Sequence, residues 1–150
     1  MAFLPLHADA APADPIGDII YQVEDAADAA LEAPKWLLKA TLYHAGRHGV
    51  GVRDSMGCRV SAMRTLAVDP HVVPKGTVVY IKETVGLPMP GGGVHDGLWY
   101  ASDVGGGIRG RRIDLFTGWG PGSMRVLQTL NQQRLTVTPV STFHGCPPLA

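Results

Sequence analysis

Hydrophobic positions follow two regimes along the 150 residues. From residue 16 to residue 31 they recur every three to four positions, at Ile16, Ile19, Ile20, Val23, Ala27, Ala30 and Leu31. That is the period of a helix with one apolar stripe. Asp14 followed by Pro15 supplies an N-cap and a proline suited to the first helical position. Pro34 ends the pattern. The opposite face carries Asp18, Glu24, Asp25, Asp28 and Glu32 and no basic residue. An acidic amphipathic helix is therefore expected over 14–33. It either packs on the body of the protein with its acidic face in solvent, or offers that face to a basic protein partner. Residues 1–13, rich in Ala, Pro and Asp, are expected to form a flexible lead-in.

After Pro34 the apolar runs become short. Strands are expected at Trp36 to Tyr43, Arg64 to Val68, Thr77 to Lys82, Leu98 to Ser102, Ile113 to Phe116 and Arg134 to Val140. The last of these alternates apolar and polar residues as a half-buried strand does. Residues 121–132 can form one short helix. Six short strands separated by turns predict a mainly β fold closed into a small barrel, rather than an open α/β sheet. The segment 83–97, with its GLPMPGGG run, has the length of a flexible loop that caps or frames a site.

Composition narrows the function classes. Lys plus Arg equals Asp plus Glu, 13 against 13, which argues against a nucleic-acid binder and against attraction to anionic membrane by net charge. Nineteen Gly and 12 Pro point away from a helical bundle. No apolar run reaches the ~18 residues of a membrane span. The start is a poor signal peptide, with no basic region and an apolar stretch broken by Pro5 and His7. Cys58 and Cys146 fit no zinc spacing. They can pair as a disulfide in an exported protein and would be two thiols in the cytosol.

Most candidate chemistry fails on context. His44 and His48 lack a helix and a third ligand, so no metal site is expected. Ser55 and Ser102 lie in no nucleophile-elbow pattern. The glycine-rich stretch 103–110 leads into a strand, not the helix a pyrophosphate cradle needs. The aspartates are better placed. Asp69 and Asp103 follow apolar strands, where each is either a turn-former or a functional group. Asp114 interrupts the apolar run Ile113–Phe116, where a charge is costly unless paired or used, and it points either to solvent or into a cleft.

In context the three aspartates change the picture. Ala67-Val68-Asp69, then Pro74-Lys75-Gly76, then Ala101-Ser102-Asp103-Val104-Gly105-Gly106-Gly107-Ile108-Arg109-Gly110, and finally Asp114 together resemble the 3D (three-aspartate) domain. Gly118-Trp119-Gly120-Pro121 resembles the membrane-bound lytic transglycosylase A branch of that family. The likeness spans roughly residues 36 to 140. Lys75 departs from it, standing where many relatives carry Leu. The larger family members also have a second domain that completes the substrate groove, and this chain shows no counterpart of it.

The resemblance implies a double-psi β-barrel over 34–150 and a lytic transglycosylase. Such an enzyme cleaves the MurNAc–GlcNAc β-1,4 bond of peptidoglycan without water and leaves a 1,6-anhydro-MurNAc end. It implies Asp114 as a single general acid and then base, Asp103 raising the Asp114 pKa by like-charge repulsion, and Asp69 orienting both. Gly105, Gly106, Trp119 and Tyr43 are the expected sugar contacts, with core packing as the alternative for Trp119 and the stronger expectation for Trp99. No cofactor is implied, and the substrate places the protein in the periplasm or cell envelope. Two other functions fit the same fold. One is a non-catalytic, expansin-like wall-binding module, which has no need of both Asp103 and Asp114. The other is an ordinary polysaccharide hydrolase, which would leave a reducing end.

Overall fold

The computed structural model describes Glu24, Ala26 and Asp28, residues 35–46 and residues 51–148. The expected segment 1–13 and most of the expected helix 14–33 lie outside the described residues; Glu24, Ala26 and Asp28 are helical.

Six strands form: β1 (Trp36–Ala45), β2 (Thr65–Val68), β3 (Thr77–Ile81), β4 (Leu98–Asp103), β5 (Arg112–Trp119) and β6 (Arg134–Thr142). All six expected strands exist, with ends displaced by a few residues at most. They hydrogen-bond in the order β1-β5-β2-β4-β3-β6, and β6 returns to β1, so the sheet closes into a ring. Two neighbouring pairs, β1 with β5 and β2 with β4, run parallel, and the other four are antiparallel. Closure leaves no strand edge unpaired.

Alternation along each strand sends one set of side chains inside the ring. Leu38 and Ala40 of β1, Leu66 and Val68 of β2, Val79 and Ile81 of β3, Trp99 and Ala101 of β4, Ile113 and Leu115 of β5, and Leu135 and Val137 of β6 make one continuous core. Their intervening neighbours face outward, and the candidate chemistry lies among those.

Residues Pro121–Leu130 are 3₁₀-helical, where one short helix was expected, and Leu127 is their only buried residue. The segment 83–97 differs from expectation. Lys82–Thr84 form a 3₁₀ turn, and Pro88 and Val94 pair across the loop. The loop is pinned by His95, which is fully buried. Its Nδ1 accepts from the Gly97 N–H at 2.8 Å and its Nε2 donates to the Met63 carbonyl at 2.7 Å. Burial, the largest influence, lowers the His95 pKa, so the ring is neutral. Its 3.9 Å approach to Asp96 is therefore not an ion pair; Asp96 is held by Arg64 at 2.6 Å. This loop borders two shallow depressions, one beside Ser61 and Ala62 and one beside Gly122 and Ser123, and does not frame the aspartates.

Cys58 and Cys146 are disulfide-bonded, 88 residues apart in sequence, with Cα atoms 5.4 Å apart. The bond ties the loop between β1 and β2 to the tail beyond β6.

Candidate active site

Register brings the site together. Thr41 on β1 stands opposite Asp114 on β5, Asp114 opposite Ala67 on β2, and Ala67 opposite Asp103 on β4. The four residues form one row across four adjacent strands on the outside of the ring. A register shift between Leu66 and Ala67 sets Asp103 in that row. Two strand spacings separate the two aspartates, about 10 Å between their backbones. The residue between them carries only a methyl group, so Ala67 leaves an open floor.

A cleft of about 480 Å³ stands over that floor. Tyr43, Asp103, Gly105, Gly106 and Asp114 line it, as do Arg53, Asp54 and Ser55 of the loop before β2. Asp103 is tightly positioned. Its Oδ1 accepts the Ser55 and Val104 N–H groups, both at 2.9 Å, and its Oδ2 accepts the Tyr43 hydroxyl at 2.9 Å. Asp114 has one side-chain donor, Thr41 Oγ1, at 3.0 Å. The Asp114 carboxyl is pushed up to about 6. Burial is the main cause; Thr41 and Arg112 pull against it, and Asp103 adds the smallest of the upward pushes. The expected like-charge effect is real in sign, but desolvation leads. The Tyr43 hydroxyl is also pushed up, first by burial and then by Asp103, so it is a donor.

Asp69 stands elsewhere. Its Oδ2 accepts the Gly110 N–H at 2.8 Å and its Oδ1 accepts the His71 N–H at 3.0 Å. These bonds lower its pKa. It touches neither Asp103 nor Asp114, and it anchors the far end of the glycine-rich loop that Asp103 begins. Trp119 is 62% exposed and outside the cleft lining. Trp99 is core, as its strand position favoured.

Sequence reasoning did not single out Thr41, Ala67, Arg53, Asp54 or the Ser55 backbone as parts of the site. Thr41 lies in an expected strand, yet only cross-strand register puts it beside Asp114. Ser55 contributes its N–H to Asp103, and not a nucleophilic hydroxyl. Lys75, the residue that departs from the family pattern, bonds Ser55 Oγ at 3.2 Å. Its ammonium thereby helps hold the loop over Asp103.

Of the histidine pair, His48 lies outside the described residues, and His44 Nδ1 meets the Ala45 carbonyl at 2.9 Å. Among the described residues no three His, Cys, Asp or Glu side chains gather as a metal site.

Three of the four row residues, Ala67, Asp103 and Asp114, fall with the glycine-rich loop within one recognisable stretch. Residues 64–128 match the family model described as the 3D domain. The 3D match includes Asp69, Asp103 and Asp114, and it excludes β1 and the loop bearing Ser55. No curated protein matches the chain. Among solved structures, E. coli MltA with bound chitohexaose is similar at 22% identity and a TM-score of 0.46, covering 65% of this chain and 30% of that one. The lytic transglycosylase LtgG of Burkholderia pseudomallei is similar at 28% identity and 0.43, covering 63% and 29%. A membrane-bound lytic murein transglycosylase from Agrobacterium tumefaciens follows at 26% and 0.40, covering 62% and 27%. The chain thus spans less than a third of the length of each.

Proposed function

We propose that this protein is a peptidoglycan lytic transglycosylase that cleaves the MurNAc–GlcNAc β-1,4 bond, with Asp114 as its single general acid and base. The observation that carries this reading is the Asp114 carboxyl. It is partly desolvated, carries a pKa pushed up to about 6, and lines an open cleft beside an oriented carboxylate within the 3D match. A general acid works best when its pKa lies near the working pH.

The reaction balances without water. Protonated Asp114 gives its proton to the glycosidic oxygen as the C1–O4 bond breaks, releasing the GlcNAc hydroxyl. The C6 hydroxyl of the same MurNAc closes on C1. Its proton passes to the Asp114 carboxylate, which restores the acid. The attacking group is already attached, so closure is intramolecular and favoured by proximity. That removes the need for the second, water-activating carboxylate of an inverting glycosidase.

Asp103, fixed by three donors, orients the C6 hydroxyl and favours retention of the Asp114 proton. Tyr43 holds Asp103 in place, and Gly106 keeps the rim of the cleft low enough for a sugar to approach, while Gly105 makes room for Ile108 beneath it. Asp69 serves at one remove, through Gly110.

The closed ring with its two parallel pairs supports a double-psi β-barrel. The substrate places the protein in the periplasm or cell envelope. Among the described residues no helix is long and apolar enough to cross a membrane. The acidic segment before Pro34 is the proposed handle for a protein partner.

The test is the mass of the muropeptides released from purified peptidoglycan. Products lighter by one water than their hydrolytic counterparts are expected. Reducing-end products would make the protein a hydrolase, and absence of product with retained glycan binding would favour an expansin-like module.

A further inference from the structure

Two residues before the cleft row, a second row crosses the same outer face. Lys39 on β1 is in register with Arg112 on β5 on one side and with Arg134 on β6 on the other. All three side chains are exposed. Residues two apart share a face of a strand, so Lys39 lies on the side of Thr41, and Arg112 on the side of Asp114. Like charges directly opposite one another repel, and three in register do nothing for the sheet itself. Among the described residues no carboxylate forms an ion pair with them, and Arg112 acts on Asp114 only at longer range. Among the described residues, the carboxylates within ion-pair distance of a basic group are those of Asp69 and Asp96, which face His71, Arg64 and His95. The row lies about 7 Å along the strands from Asp114, the reach of one sugar and its substituent.

We propose that Lys39, Arg112 and Arg134 form a carboxylate-binding subsite that receives the anionic substituent on O3 of a muramyl residue, so that the cleft prefers charged glycan strands to uncharged chitin-like ones. The inference rests on the reading of the cleft as a peptidoglycan site, and it adds the part of the substrate that the aspartates do not recognise. Arginine suits this task because its planar fork matches a carboxylate. The subsite also couples to the chemistry. Arg112 is one of the groups that pull the Asp114 carboxyl down. A carboxylate seated on Arg112 offsets that pull and favours the protonated acid when the correct strand is bound.

The test measures binding to the Asp114→Asn variant at low ionic strength, so that nothing turns over. The ligands are uncross-linked strands with their peptide stems, the same strands after amidase treatment, which keep only the lactyl carboxylate, and chitohexaose. The stem-bearing strands are expected to bind more tightly than chitohexaose, with added salt erasing the preference. Lys39→Gln with Arg134→Gln is expected to cut the ratio of the two affinities about tenfold, the upper range for two exposed ion pairs. The charge-keeping pair Lys39→Arg with Arg134→Lys is expected to preserve it. A preference that survives amidase treatment assigns the lactyl carboxylate as the bound group, and one that is lost assigns the stem. An unchanged ratio in the double Gln variant, or an equal loss for all ligands, overturns the subsite while leaving the cleft. Absence of binding to every ligand overturns the cleft reading and the subsite with it.

Discussion

At the scale of single residues, the candidate site holds a carboxyl group whose surroundings make ionisation harder. Water exclusion raises the Asp114 carboxyl to about 6, above the ~3.9 of an unfolded chain. Ionisation is therefore harder in the folded state. The resulting penalty is absent below about pH 4, grows as pH rises to 6 and persists above it. Asp114→Asn is expected to raise the melting temperature at pH 7 and to leave it nearly unchanged at pH 4, as thermal unfolding at the two pH values will show. The same shift gives wild-type turnover a basic limb, falling as pH rises through about 6. Tyr43→Phe removes the only donor to Asp103 Oδ2 among the described residues. We expect about a tenfold loss of turnover, the cost of one hydrogen bond to a charged group, with the fold retained by circular dichroism. That Asp103 and Asp114 belong to one site was legible in the sequence because motif spacing carries both, and both line the cleft. Asp69 was legible as a motif member but misread as a contact of the other two, since spacing cannot tell a cleft residue from a loop anchor. Thr41 and Ser55 were not legible, because their relation to the aspartates exists only across strands far apart in sequence.

At the scale of elements, the strands were readable because their apolar positions answer to one core. Leu38 and Ala40, and likewise Ile113 and Leu115, alternate with outward residues just as burial requires. Strand order was not readable, since β1 pairs with β5 across 73 residues of sequence. The segment 83–97 was misjudged for a physical reason. Its Gly and Pro content suggests a free loop, whereas the buried His95 side chain supplies both a donor and an acceptor and pins it. The loop that does cover the site is 51–60. There Asp54 Oδ1 accepts the N–H groups of Met56 and Cys58, and the resulting turn points the Ser55 N–H at Asp103.

At the scale of the whole molecule, the disulfide joins this loop to the C-terminal tail and so links overall stability to the site. Closing 88 residues restricts the unfolded chain by about 4.6 kcal/mol on the loop-entropy scale. Cys58→Ser with Cys146→Ser is expected to lower the urea midpoint accordingly. It is also expected to reduce turnover under conditions where the protein is still folded, because the Ser55 N–H is no longer held on Asp103. Loss of stability without loss of turnover would separate the loop from the chemistry.

In the proposed reaction one carboxyl group performs both proton transfers. Its most direct test is a digest of purified peptidoglycan by wild type and by Asp114→Asn, with products weighed by mass spectrometry and strand binding measured alongside. Anhydro-muropeptides are expected from the wild type and none from Asp114→Asn, while the variant still binds strands. Anhydro products from Asp114→Asn at a rate near that of the wild type would contradict the proposed reaction.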